Sequence, residues 1–184
     1  MKTRNMLILS SLAILLLVSR AEARKAILSP AKVAAIASPT DARDTRVLLF
    51  FELPPEVMRS EVQVDFATLH CKAQVMDAAM GEIDVFPMTA QWKDASTISW
   101  SDPWNHPGGD YQEDFLPGNY SLRSEAGQKE VAIDITKIVQ GWQKGNLSNK
   151  GLMLKLSTDD LSTSSVRYSM DRDNVVLRIH YSFE

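Results

Sequence analysis

VAIDITKIVQGWQKGNLSNKGLMLKL, residues 131–156, reads as a strand, a short helix, a glycine turn and a second strand. Ile135, Ile138, Val139 and Trp142 stand at i, i+3, i+4 and i+7, which places them on one helix face. The Thr136 hydroxyl is positioned to cap the helix start, and Gly145 to end it in the left-handed region. On both sides the hydropathy pattern changes to that of strands. One brief amphipathic helix in a strand-patterned chain predicts a β-sheet protein whose helix buries a single face.

Working outward, Arg46–Leu53 (RVLLFFEL) is an apolar run stopped by Pro54 and Pro55, which reads as a buried sandwich strand. Alternation follows over 62–75, with Ala67, Leu69, Cys71, Ala73 and Val75 in one row, then over 82–88 and around 97–100. Residues 102–122 carry Pro103, Pro107, Gly108, Gly109, Pro117 and Gly118, which predicts a long structured loop. Beyond the helix, strands are expected over 152–157, 165–170 and 175–183. In the last of these Val175, Leu177, Ile179, Tyr181 and Phe183 share one face, and Arg178 and His180 lie on the other. The expected fold is all-β: an antiparallel β-sandwich of jelly-roll type with one short helix.

The first residues carry Lys2 and Arg4, an apolar run of 13 residues from Met6 to Val18, and Ala21-Glu22-Ala23. This is the pattern of a secretory signal peptide over 1–23, too short in its apolar part to span a bilayer. A lead-in over 24–45 with a weak first strand around 32–37 precedes the domain at 46–184. The chain is therefore expected to be secreted or held at the cell surface, with no membrane association after signal cleavage. From Arg24 onward it has 17 basic and 22 acidic side chains, a net charge of −5. That balance excludes the clustered basic charge of a nucleic-acid binder. A lone cysteine, Cys71, excludes an internal disulfide, and its place in the inward row predicts a buried, inert thiol.

The ordered motifs Phe51–Pro54, Trp92–Trp100, Trp104 with Pro107-Gly108-Gly109-Asp110, Asp134 with Thr136, Gly141-Trp142 and Asn149-Lys150-Gly151-Leu152 resemble the DNRLRE family of secreted bacterial and archaeal modules. The resemblance spans about 47–183. It departs in a shortened N-terminal hairpin, in the missing proline near Asn174-Val175, and in Ser169-Met170-Asp171-Arg172, a loose version of the name-giving segment. Relatives include carbohydrate-binding modules for alginate-type polysaccharides. The resemblance thus implies a sandwich that binds a polysaccharide or another cell-surface component.

Catalytic sets are thin. His70 and His180 fall on outward strand positions and His106 in a loop, with no nucleophile motif nearby, so no enzyme activity is expected. A polysaccharide lyase would have only His70, His180, Tyr168 and Arg178 to use, and parity turns Tyr168 inward. No metal-ligand spacing is present for zinc. A calcium ion could be held by Asp102, Asp110, Glu113 and Asp114, or by Asp159, Asp160, Asp171 and Asp173, because irregular acidic loops supply oxygen ligands.

The candidate ligand-binding residues are His70, Lys72, Lys155, Arg167, Arg178 and His180, all outward by parity, with Trp104 and Tyr111 from the long loop. If the strands share a sheet, the first six form a cationic face suited to carboxylates. Trp104 either stacks on a sugar or folds back to plug one end of the sandwich. Trp92, Trp100 and Trp142 are expected in the core. The leading reading is a non-catalytic, secreted carbohydrate-binding or cell-surface module for an acidic polysaccharide. A structural or adhesive domain that binds other proteins is the alternative.

Overall fold

The computed structural model describes residues 23–41, 44–75, 81–115, 118–122, 127–157, 166–169 and 172–183. The expected signal segment lies outside them, except for Ala23. The described chain forms two antiparallel sheets and one helix. Sheet A holds β1 (Arg24–Leu28), β10 (Val176–Phe183), β4 (Val62–Val75) and β7 (Gly127–Asp134) in that order, and β9 (Val166–Ser169) also pairs with β4. Sheet B holds β2 (Lys32–Ala37), β3 (Thr45–Phe50), β8 (Leu152–Ser157), β5 (Gly81–Pro87) and β6 (Gly118–Leu122).

Alternation puts Val47, Leu49, Ile83, Val85, Leu152 and Leu154 on the inner face of sheet B. They meet Leu69, Cys71, Ile133, Leu177 and Ile179 from sheet A in one core. Two sheets, each apolar on one side, bury those sides against each other, which makes the molecule a β-sandwich. Cys71 sits inside as expected, and desolvation pushes its thiol up to about 12. Of the inward rows read from sequence, Ala67, Leu69, Cys71, Val175, Leu177, Ile179 and Tyr181 are buried, while the side chains of Ala73 and Val75 lie outside the described residues.

The helix α1 (Thr136–Gln143) turns Ile138, Val139 and Trp142 into this core beside Ile135, and the chain leaves it at Gly145 with φ +73°. Its start differs from expectation. The Thr136 hydroxyl donates to Asp134 Oδ1 at 2.6 Å and accepts from the Ala67 amide at 2.9 Å, while Asp134 receives the Thr136 N–H at 2.8 Å. Thr136 therefore ties the helix to β4 instead of capping it; the N-cap position is Ile135, and Asp134 before it takes the first helical N–H. The helix also extends the sheet. β7 pairs with β4 only from Thr68 onward, which leaves earlier carbonyls of β4 without that neighbour. Gln140 Nε2 donates to Val64 O at 2.8 Å and Gln143 Nε2 to Val62 O at 2.6 Å, so side-chain amides replace the missing ladder.

Sheet B is buried on its outer face too. Leu48, Met153, Ala34 and Ile36 form a second core with Met88, Trp92 and Trp104 from the loop that follows β5. This explains why Arg46, Val47, Leu48 and Leu49 are all buried in sequence. Three expectations change here. The lead-in contains a strand, β1, in addition to β2. The segment 97–100 is not a strand; a 3₁₀ turn spans Ala95–Thr97, and Trp100 then packs against the second core. The end of the expected loop is β6, paired with β5.

Candidate functional site

Lys25, Ile27, Phe66, Arg178 and His180 are exposed on the outer face of sheet A, and strand register defines its rows. Lys25, His180 and Phe66 lie side by side on β1, β10 and β4. The next row is Ile27, Arg178, Thr68 and Asp134, followed by Val176, His70 and Ala132, then Lys72 opposite Glu130. Lys25, Phe66, Thr68, His70, Ala132, Asp134, Arg178 and His180 line a groove of about 400 Å³, within the usual range of ligand clefts, roughly 300–1,000 Å³. Its charge is graded: basic over β1 and β10, acidic at Asp134 on β7. The sequence-derived residues His70, Arg178 and His180 meet in this groove, and Lys72 continues its face.

Burial, the Arg178 guanidinium and, more weakly, the Lys25 ammonium lower the His70 imidazole from its ordinary value, while Glu130 pulls it up. At neutral pH His70 is thus a neutral hydrogen-bonding group beside fixed cations.

Lys155 does not belong to this surface. It lies on β8 in sheet B, opposite Arg46 and Asp84, on the other side of the sandwich. Parity gives a residue's face but not its sheet, and that is why it was grouped with the others. Arg167 is on β9, paired with Gln74, so its register matches the row of His70 and Lys72; its side chain lies outside the described residues. Tyr168 pairs with Ala73 and so stands out of register with His70.

The two loop aromatics also sit elsewhere. Trp104 is only 7% exposed, and its indole N–H donates to Ser99 O at 2.8 Å, so the ring plugs the second core. Tyr111 is half-buried, its ring centroid 4.9 Å from that of Phe86 and its hydroxyl donating to Glu113 at 2.7 Å. Burial and that hydrogen bond push its phenol up to about 12. Trp104 and Tyr111 are therefore structural parts of the sheet B cover and do not reach the sheet A groove.

Asp110 holds this cover in shape. Its Oδ2 accepts from the Asn105 backbone N–H and Nδ2, both at 2.9 Å; its Oδ1 accepts from the His106 N–H at 3.0 Å and lies 3.1 Å from His106 Nδ1. Both oxygens are thus used within the loop. Among the described residues no three His, Cys, Asp or Glu side chains converge as a metal site. Asp159, Asp160 and Asp171 lie outside those residues.

Burial alone would raise the Asp110 carboxyl, but the hydrogen bonds from Asn105 and His106 outweigh it and hold the group below its ordinary value. A depressed carboxylate stabilises the fold above its unfolded value, about 3.9, and loses that contribution as pH falls through the folded value. Tryptophan emission should consequently shift to the red below about pH 4 as Trp100 and Trp104 hydrate. Asp110→Asn should flatten that acid limb and loosen the loop at pH 7.

The exposed aromatic of the site, Phe66, was not anticipated. Val62 and Val64 face the core, and so does Ala67, so the alternation breaks between them. Tyr181 pairs with Val64 and His180 with Phe66, so Asp65 is an extra residue and the strand bulges there. A three-residue step between inward positions was the available signal.

No protein-family model and no curated protein sequence matches the chain.

Proposed function

We propose that this chain is a secreted, non-catalytic module of the DNRLRE type whose sheet A face binds an acidic polysaccharide. The observation that carries the reading is the groove in which Lys25, Arg178, His70 and His180 meet on a protein of net negative charge. Guanidinium and ammonium groups pair with uronate carboxylates, and Arg does so through two parallel hydrogen bonds. The strand orders β1-β10-β4-β7 and β3-β8-β5-β6 support a jelly-roll path through the sandwich. The basic, apolar and small-residue segments at 1–23 support export. No helix among the described residues is long and apolar enough to cross a membrane.

Exposed ion pairs contribute only about 0–1 kcal/mol each, so a few of them give affinities of roughly micromolar to millimolar order. Binding should weaken steeply between low and high salt. Titration of alginate or pectate against neutral glucan, at both salt levels, tests this. Equal binding to the neutral glycan, or no response to salt, would reject the electrostatic model. The exposure of Ile27 (61%) and Phe66 (45%) on the same face favours the adhesive alternative as a second reading. In that case no glycan binds, and another protein covers the face.

A further inference from the structure

The bulge at Asp65 and Phe66 turns an aromatic side chain to the outer face of sheet A. Had β4 kept the parity of Val62 and Val64, position 66 would face the core. Instead Ala67 takes the inward place and the phenyl ring stands in solvent at the edge of the groove. Asp65 accepts the Ser182 hydroxyl at 3.1 Å, which holds the bulge against β10. Bulges of this kind re-aim a side chain and concentrate beside functional sites. The re-aimed ring has the His180 imidazole beside it, centroids 6.5 Å apart.

The surroundings are those of a single sugar residue. Adjacent strands lie about 5 Å apart and same-face rows about 7 Å apart. Arg178, one strand across and one row along from Phe66, is therefore within the span of a pyranose ring and its exocyclic carboxylate. Lys25 flanks His180 on β1, and Asp134 lies beyond Thr68 in the Arg178 row. From β1 to β7 the groove thus runs from cationic, through aromatic, to a carboxylate acceptor.

Resting on the glycan-binding reading above, we propose that Phe66, Arg178 and Lys25 form a uronate subsite. The apolar face of the sugar stacks on Phe66, its carboxylate pairs with Arg178 and Lys25, and a ring hydroxyl donates to Asp134. The stacking platform is thus a phenylalanine on the sheet and not an aromatic of the long loop.

The test uses an oligogalacturonate and its carboxyl-reduced, neutral counterpart, titrated into the full chain and two variants. Phe66→Ala should weaken binding of the acidic oligomer about tenfold, the upper end of what an aromatic contact contributes, and should weaken the neutral one by a similar factor. Arg178→Gln should weaken only the acidic oligomer and reduce the salt response. Both positions are on the surface, and unchanged melting temperatures would verify intact folding. Wild-type affinity in Phe66→Ala, with salt-sensitive binding intact in the parent, overturns the subsite while leaving the glycan reading in place. A parent chain that binds neither oligomer at low salt overturns both. Self-association of the parent that Phe66→Ala abolishes overturns the subsite too, since the ring then serves contact between copies.

Discussion

Trp142→Ala is expected to lower stability by about 3–5 kcal/mol, the range for deleting a large buried aromatic. Trp142 projects from α1 into the main core and is almost completely enclosed. Its loss leaves a void where helix and sheets meet, and the surrounding strands cannot collapse into it without breaking register. For a chain of this size the melting temperature should fall by roughly 6–20 °C, measured by calorimetry or far-ultraviolet dichroism. The indole N–H is buried and has no hydrogen-bond partner among the described residues. Trp142→Phe removes that unsatisfied donor along with some volume, and so should cost much less than the alanine variant. An alanine variant as stable as the parent would disprove the anchoring role of the helix.

The second large effect concerns Arg46. Its guanidinium lies 4.6 Å from the Trp100 ring centroid and 5.6 Å from that of Tyr111. Nη1 donates to Gly108 O at 2.8 Å, and Nε lies 3.4 Å from Asp44 Oδ1. Gly108 makes this approach possible: at φ +91° a Cβ there would fall 2.5 Å from Arg46 Nη1. Arg46→Ala removes the long stem that fills the second core and strands the Gly108 carbonyl, for a loss of about 2–3 kcal/mol. The ion pair adds little to this figure because Asp44 is partly open to water. Arg46→Lys should recover only a minor part, since an ammonium cannot stack flat on Trp100 or bond Gly108 and Asp44 in the same fork. Denaturant titration followed by tryptophan emission would report both the stability and the hydration of Trp100.

What sequence could reveal followed from how local each feature is. The helix face of Ile138, Val139 and Trp142 and the end at Gly145 are local patterns, and they appear as expected. The inward rows of β4 and β10 were legible for the same reason. Coverage of sheet B was only half visible. The run Val47–Phe51 reads as a buried sandwich strand, but nothing local identified Trp92 and Trp104 as a lid on its outer side. β1 was missed because Arg24–Leu28 is short and only partly buried, so its strand character depends on pairing with the distant segment Leu177–Tyr181. The site suffered from the same gap. His70, Arg178 and His180 converge, whereas Lys155 requires knowledge of which sheet a strand joins, and Phe66 requires a bulge.

β10, the last described strand, lies between β1, the first described strand, and β4. Arg24 pairs with Tyr181 and Leu28 with Leu177, so β1 has no place to dock in sheet A until β10 has been made. Closing so long a loop carries an entropic penalty that grows only logarithmically with its length. Non-local pairings of this kind nevertheless make folding slow. A chain cut short before Val176 would present β4 as an open edge able to template association with another chain. During synthesis, therefore, β10 acts as the closing piece of sheet A. Its arrival joins β1 and β4 in one ladder and hides the edge of β4 that a chain lacking it would expose.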